Sequence, residues 1–391
     1  MLVSHLRPRE GGEQPTTVVE LFFDLVYVFA VTQLSHLLIG DLSWTGAART
    51  GFLLLVIWWA WIYTTWMVNW FDPGSDAVRM VLIGVMLASL LMAAAVPEAF
   101  GRHAALFAGS YVVLQVGRNL AGTLLLARGH PLRVVFERLV AWSVASGVLW
   151  IGGSLLGGDS RLWLWIPALL VDLAAPLLGY RTPRRGRSTT GDYSIDGGQF
   201  AERCQAFVII ALGESIVVTG ATAANAGLTT EVVVALAAAF VEIAALWWLY
   251  FGAAAEHSRR QMAEHEDPGR LARDAYTYLH LPIVAGVIVT AVGDELLLAH
   301  PGHPLDSAAT VMVLGGPALF LTGETFFRLR MIGSANAKRL VAIVVLLLLS
   351  LVAGSVSAFA LTAIVAAVLT GLALWELTPR TSGADAMPPA G

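Results

Sequence analysis

The chain has 391 residues, of which 57% are hydrophobic and only 13% are charged, and its mean hydropathy is +0.71. Soluble proteins carry about 25% charged residues, so this composition excludes an ordinary soluble domain and predicts a polytopic membrane protein. The formal net charge is −4, and the single cysteine, Cys204, excludes an intramolecular disulfide. The polar N-terminal segment 1–16 precedes an apolar run that is too long for a signal-peptide core, so no cleaved leader is predicted.

Apolar runs of about 20 residues, the length that crosses a bilayer as a helix, recur along the whole chain. Twelve such runs predict an all-α fold, a polytopic membrane helical bundle of about twelve transmembrane helices. The predicted spans are 17–39, 50–70, 78–97, 103–127, 138–157, 161–180, 200–222, 229–252, 274–298, 306–327, 339–356 and 357–376.

A basic linker divides the chain into two halves. The segment RTPRRGRSTTG, residues 181–191, opens the only long polar stretch in the middle of the sequence. The predicted organisation is a cytoplasmic N-terminal segment 1–16, a first six-helix half 17–180, a basic cytoplasmic linker 181–199, a second six-helix half 200–376 and a disordered tail 377–391.

Positive charge is distributed unevenly between alternate loops. With the N-terminus in the cytoplasm, nineteen Lys and Arg residues fall on the cytoplasmic side and only Arg49, Arg102 and Arg161 on the other. Cytoplasmic loops of membrane proteins carry such an excess. We therefore predict a multi-pass protein of the cell (inner) membrane with both termini in the cytoplasm.

A weak internal repeat relates the two halves. Glu20 aligns with Glu202, and the same offset places Thr32-Gln33 over Glu214-Ser215. In the next span of each half, the pair Trp58-Trp59 corresponds to Trp247-Trp248. Six spans per half would give both halves one orientation, which is the parallel-repeat arrangement found among transporters.

The first predicted span, ELFFDLVYVFAVTQLSH, carries polar groups on more than one face. Glu20 and Asp24 lie one helical turn apart, whereas Thr32, Gln33 and His36 fall on other faces at about 100 degrees per residue. A lipid-facing helix would not carry polar groups on two sides. We expect other helices to enclose this one, with Glu20 and Asp24 facing a polar site.

Charged residues inside the predicted spans are too many for packing alone. An ionised group at the bilayer centre costs about 2.5–3.5 kcal/mol on insertion scales. Arg118 is interpreted as the one mid-helix cation and is predicted to pair with Glu20 or Asp24. The remaining acids then exceed the cations, so some should be protonated, as in a proton or cation pathway or an acid catalyst. The charged residues concerned are Glu20, Asp24, Arg118, Asp172, Glu214, Glu242 and Glu324.

Two further motifs suggest an interior site. In the segment 201–220, Gly213 is expected to let another backbone approach, beside Glu214 near mid-span and the donor Ser215. The alternative is a packing glycine beside a neutral Glu. The tryptophans of IWWAWIYTTWMVNWFD either line a cavity or pack in the core.

The motifs ELFFDLVYVFAVTQLSHLL, WWAWIYTTWMVNWFD, ERCQAF followed by LGESI, WWLYF and YLHLPIVAGVIVTAVGDE stand in this order along the chain. Together they resemble the low temperature requirement A family of membrane proteins, from Gly11 to about Trp375. The resemblance implies an integral membrane protein without a defined biochemical activity. One departure is Cys204-Gln-Ala-Phe, where the family suggests a His-Gly-Leu-like continuation, so no catalytic histidine is proposed there. The family motif residues in this chain are Glu20, Asp24, His36, Trp58, Trp59, Asn69, Asp72, Arg118, Glu202, Arg203, Gly213, Glu214, Ser215 and His280.

Three functions remain open from the sequence. The first is a secondary transporter, coupled to protons or cations, for an unidentified small molecule. The second is an intramembrane enzyme that uses acid chemistry on a lipid-soluble, for example isoprenoid, substrate, and the third is a non-catalytic sensor or scaffold. The expected partners are membrane lipid and the small molecule, with no nucleic acid, no metal and no cofactor. The predicted site comprises Glu20, Asp24, His36, Asn69, Arg118, Glu202, Arg203, Glu214, Ser215, Glu242 and His280, with Trp58, Trp59, Trp247 and Trp248 lining a pocket.

Overall fold

The computed structural model describes residues 5–8, 16–192, 195–299 and 301–377, apart from the side chains of 253–257 and 263. Within these ranges the chain is helical, and β geometry is limited to two isolated bridges, Leu6 with Phe71 and Thr182 with Gly186. The predicted all-α class is therefore confirmed. Apart from residue 377, the predicted disordered tail lies outside the described residues, as does most of the N-terminal segment.

Fourteen helices follow one another along the described residues. In the first half they are α1 Val18–Gly40, α2 Trp44–Trp70, α3 Asp76–Ala95, α4 Ala104–Leu125, α5 Pro131–Ser154 and α6 Leu162–Ala174. In the second half they are α7 Gly197–Ala226, α8 Thr230–Phe251, α9 Ala253–Glu264, α10 Pro268–Leu271, α11 Leu281–Ala299, α12 Ser307–Ile332, α13 Ala337–Leu349 and α14 Ala358–Leu377. Between α10 and α11 the residues Ala272–Leu279 form a π-helix.

Each of the twelve predicted spans contains a helix, but the helices differ in length and polarity. Nine helices in the described part of the chain are long and apolar enough to cross a membrane. α6 and α13 have 13 residues each, which at about 1.5 Å per residue falls short of a hydrocarbon core of about 30 Å. The structure thus supports a multi-pass membrane protein, whereas the count of twelve crossings stays a prediction.

Helices α1 and α7 pack side by side and run in the same direction. Near their N-termini Gln199 contacts Glu20, and one turn later Arg203 contacts Asp24. Further along, Thr32 contacts Glu214. The parallel register brings the polar residues of both helices to one interface.

Helices α11 and α12 approach each other closely at two glycines. A Cβ atom added to Gly286 would lie 2.4 Å from the backbone nitrogen of Phe320, and one added to Gly316 would lie 2.5 Å from that of Thr290. Small residues allow membrane helices to approach in this way. Of this pair, α11 packs against α1 and α7.

The π-helix Ala272–Leu279 fixes α2 against the start of α11. The Thr277 hydroxyl donates to the carbonyl of Ala272, five residues earlier, at 2.9 Å. The indole nitrogen of Trp58 donates to the carbonyl of Thr277 at 2.8 Å. Single turns of π-helix often occur at functional sites, and this one precedes the buried His280.

Candidate functional site

Glu20 and Asp24 lie in a buried ion-pair network between α1, α2 and α7. Arg203 donates to both oxygens of Asp24, at 2.5 and 2.7 Å, and the Trp61 indole adds a third bond to Asp24 at 2.9 Å. Glu20 lies 2.8 Å from Arg7 and accepts from the backbone nitrogen of Thr17. Each acid is thus neutralised by an arginine. The bidentate, charge-assisted contact of Arg203 with Asp24 is of the strong kind that a buried charged pair requires.

The same network continues to the linker through two amides. Gln199 donates to Glu20 at 2.8 Å and accepts from the Asn69 side chain at 2.6 Å. Asn69 also exchanges hydrogen bonds with the backbone of Asp196, whose carboxylate caps α7. Because every link joins a different element, these contacts hold α1, α2 and α7 in one register, and we assign the network a structural role.

Arg118 does not join this network, so the prediction that it pairs with Glu20 or Asp24 is wrong. Its guanidinium donates to the carbonyl of Ala60, to the Thr64 hydroxyl and to the Gln115 amide oxygen, and it lies over the ring of Tyr63. Arg7 pairs with Glu20 and Arg203 pairs with Asp24 instead. Arg118 is stabilised by neutral acceptors rather than by a carboxylate.

A second polar cluster extends from Gln115 to Asp172. The Gln115 amide donates to the hydroxyl of Tyr111, which donates in turn to Asp172 at 2.9 Å. The indole of Trp150 also donates to Asp172 at 3.1 Å. Within the described residues Asp172 therefore has hydrogen-bond donors but no ion pair.

Glu214 meets the helix that the internal alignment paired with it. Its carboxylate accepts from the Thr32 hydroxyl at 2.5 Å and is buried. The Ser215 hydroxyl donates to the carbonyl of Ala211 in its own helix, so it is Thr32 that donates to Glu214. Gly213 has no atom within 4 Å of an added Cβ, so the prediction that another backbone approaches it is wrong.

Glu242 on α8 and Asp294 on α11 form a buried acid pair. Their exposed fractions are 1% and 3%, and the two helices that carry them pack on each other. One oxygen of each side chain, Oε2 and Oδ2, is buried without a hydrogen-bond partner, and no ion pair reaches either acid within the described ranges. Ala239 and Leu298, each one helical turn away in the sequence, belong to a buried apolar cluster. A carboxylate buried without a partner is unfavourable in its charged form.

One buried acid of the second half, Glu324, is neutralised by arginines. Glu324 accepts from Arg339 at 2.6 Å and from Arg328 at 2.9 Å, and Arg339 also binds Glu376. The expected excess of acids over cations is therefore smaller than the sequence indicated. Among the described residues the buried acids without an ion pair are Asp172, Glu214, Glu242 and Asp294.

His280 lies in an aromatic cluster rather than beside an acid. Its Nε2 and the Tyr250 hydroxyl are 2.9 Å apart. Trp58 and Tyr276 stack on the imidazole with ring centroids 6.2 and 5.5 Å away. Because these rings fill the space, Trp58 and His280 belong to packed core.

Three cavities follow one another near the linker. An open cavity of about 720 Å³ is lined by the linker and Arg273. Arg273 also borders a narrow aromatic cavity lined by Trp66 and Tyr180. Tyr180 borders a third, smaller cavity that contains Trp59 and Asp172. The shared residues outline a route from the basic linker towards Asp172.

Comparison with known proteins identifies the family. Residues 16–374 match the profile of the bacterial low temperature requirement A protein (LtrA). The chain belongs to the LtrA family. It is also 37% identical over 324 residues to the uncharacterized protein RA0937 of Rhizobium meliloti (strain 1021), covering 83% of this chain and 79% of that protein. No solved structure matches the chain. The expectation drawn from the motifs is thus confirmed for the family, whereas the activity is left open.

Several residues singled out in the LtrA motifs and their repeat lie away from the polar interior. Trp247 and Trp248 are 47% and 48% exposed, which contradicts the prediction that they line an interior pocket. His36 is exposed, and Glu202 is only partly buried. Arg203 and Glu214 are buried, so the face of α7 that carries them points into this LtrA protein.

Asp294 and Tyr111 are the main participants that sequence reasoning did not select. Asp294 stands in the motif YLHLPIVAGVIVTAVGDE, near the end of a predicted span, and its position relative to Glu242 depends on how α8 packs on α11. Tyr111 carries no charge and does not stand out in an apolar helix. Within the described residues no group of three or more His, Cys, Asp or Glu side chains is arranged to hold a metal ion.

Proposed function

We propose that this LtrA-family protein is a proton-coupled secondary transporter of the inner membrane, in which the pair Glu242–Asp294 carries the coupling proton. The observation that carries the proposal is the pair itself: two buried acids on helices that pack on each other, each with an unpartnered oxygen. Ionisable residues of this kind inside membrane helices mark ion and proton pathways.

The surroundings of the pair support proton transfer better than a structural role. A buried acid that only fixed packing would be expected to have a donor or a cation, as Asp24 has in Arg203. Glu242 and Asp294 have neither in the described part of the chain, so their burial is unfavourable unless a proton is bound. This contrast also weighs against the sensor or scaffold hypothesis.

The relation between the two halves also favours transport. In the proposed arrangement α1 and α7 are counterparts in two parallel six-helix repeats and pack on each other near their middle, at Thr32 and Glu214. Transporters with internal repeats bind substrate at such an interface near the bilayer midplane. Glu214 is therefore the second proposed proton site.

One specific observation favours the intramembrane enzyme, namely the three cavities that share lining residues. Tyr63 and Tyr180, whose hydroxyls are 2.5 Å apart, border both the aromatic cavity and the cavity that contains Asp172. An apolar substrate beside a protonated acid would fit general acid catalysis. A protein that only catalyses a reaction would not move protons across a membrane, and this difference separates the two functions.

The transporter proposal is tested in everted membrane vesicles that contain the protein and a dye that reports internal acidification. After respiration has acidified the vesicles, a panel of amino acids, sugars, organic cations and inorganic phosphate is added singly. We expect at least one compound to dissipate the pH gradient with the wild type but not with Glu242→Gln.

The matched control is Glu231→Gln, which removes an exposed acid from the first turn of the same helix. It should behave as the wild type. Equal responses in Glu242→Gln and wild type would exclude Glu242 as the coupling group. If no compound produced a response with the wild type, the transporter proposal would be abandoned in favour of the enzyme.

A further inference from the structure

The open cavity beside the linker, which we call the linker vestibule, is basic and contains no acid. Its lining includes the three arginines Arg181, Arg187 and Arg273 and three hydroxyl residues, Ser188, Thr189 and Thr190. No aspartate or glutamate belongs to this lining. A volume of about 720 Å³ lies within the range of small-molecule sites.

The polypeptide around the linker vestibule is held in place by its own contacts. The backbone nitrogen of Ser188 donates to the carbonyl of Gly179 at 2.7 Å and closes the loop. Arg138 on α5 donates to the Ser188 hydroxyl at 2.6 Å, and the Trp142 indole donates to the carbonyl of Arg181. Gly179 has φ +60°, and an added Cβ would lie 2.3 Å from the Ser188 carbonyl oxygen.

The arginines of this region differ in their partners. Arg185 pairs with Glu137, and Arg273 donates to Asp274 at 2.8 Å. Arg181 and Arg187 are exposed, line the vestibule and have no ion pair or side-chain hydrogen bond within the described residues. Two uncommitted guanidinium groups therefore face a preformed cavity, with a third at its inner border.

Apolar side chains complete the vestibule on its outer side. Leu177 and Leu178 are 60% and 55% exposed, lie just beyond the end of α6 and belong to the same lining. They bring a surface suited to lipid tails next to the arginines. Basic pockets at helix ends bind the head groups of anionic lipids.

We propose that the linker vestibule binds a phosphate group through Arg181 and Arg187. The phosphate is carried by an anionic amphiphile, whose tails lie along Leu177 and Leu178, or it is free in solution. Guanidinium groups bind phosphate oxygens by paired, charge-assisted hydrogen bonds. The proposal names a ligand class for the proposed transporter. It rests on that proposed function only where the bound compound is called the transported substrate.

The test measures binding to the purified full-length protein in a neutral detergent, without any proton movement. The probes are inorganic phosphate, dihexanoyl phosphatidic acid and, as a zwitterionic control, dihexanoyl phosphatidylcholine. We expect the wild type to bind at least one of the first two probes and to bind it more weakly as salt is raised. The double variant Arg181→Gln, Arg187→Gln should bind it at least roughly tenfold more weakly, as expected for the loss of a charged hydrogen bond.

The matched control is Arg184→Gln, an exposed arginine of the same loop that is not part of the vestibule lining. It should bind as the wild type does. Binding of phosphatidic acid alone assigns the phosphate to the membrane, whereas equal binding of inorganic phosphate assigns it to solution. No binding of either probe, binding that matches phosphatidylcholine, or equal weakening in Arg184→Gln would overturn the proposal while leaving the transport experiment unaffected.

Discussion

Arg203 and Arg118 are both almost fully buried, yet their charges are stabilised differently. Arg203 binds Asp24 through two nitrogens, whereas Arg118 relies on neutral oxygens and the ring of Tyr63. From the sequence, Arg118 is predicted to be the one mid-helix cation, because Arg203 falls near the start of the predicted span 200–222. Helix α7 starts at Gly197, so Arg203 is within the helix and faces the acid of α1.

The first prediction concerns this pair. Arg203→Leu leaves Asp24 buried beside apolar groups without its cation, and we expect a loss of about 3–5 kcal/mol in the free energy of unfolding. The loss would appear as poor expression and a lower melting temperature in detergent. Adding Asp24→Asn to the same chain removes the uncompensated charge and should recover much of that loss. A single variant with the wild-type melting temperature would contradict the structural role of the pair.

At the scale of elements, glycines in the sequence did not show which helices approach closely. Gly213 belongs to the motif LGESI, yet space surrounds it, whereas Gly286 and Gly316 bring α11 and α12 together. A glycine looks the same in both settings because the neighbouring helix decides whether its missing side chain matters. The helices themselves were predictable because long apolar runs carry that signal.

The second prediction compares two glycines. Gly286→Ala places a Cβ 2.4 Å from the backbone of Phe320, and forcing an extra methyl group into packed helices costs about 1–3 kcal/mol. Gly213→Ala meets nothing within 4 Å and should leave the stability unchanged or raise it by roughly 0.5–1 kcal/mol. Both values follow from melting curves in one detergent. Equal destabilisation by the two substitutions would contradict the described packing of α11 on α12.

For the whole molecule, the sequence predicted the fold class and the positions of the twelve helical segments, and it selected Glu214 and Glu242 among the buried acids. It could not predict that Glu242 meets Asp294, since 52 residues separate them and their contact arises from tertiary packing of α8 on α11. It also overestimated the number of unpaired acids, because Arg7 from the N-terminal segment and Arg339 from the start of α13 reach inward. Charge counts along a sequence do not show which loop arginines fold back into the interior.

The third prediction is the orientation of the chain. The charge bias of nineteen to three predicts that the N-terminus, the linker and the C-terminus lie in the cytoplasm. Reporter fusions after Arg187 and after Arg380 should therefore both report the cytoplasmic side. Opposite results from the two fusions would mean an odd number of crossings between them, which is incompatible with six spans in the second half.

The most direct test of the account is an infrared titration of the carboxyl stretch in the reconstituted protein. We predict that the wild type shows a protonated carboxyl band between pH values of about 5 and 9, because the proposed function assigns a shared proton to Glu242 and Asp294. Glu242→Gln and Asp294→Asn should each change this band, and Glu231→Gln should leave it intact. A spectrum that is identical in the wild type and in both pair variants would contradict the assignment of the proton to Glu242 and Asp294.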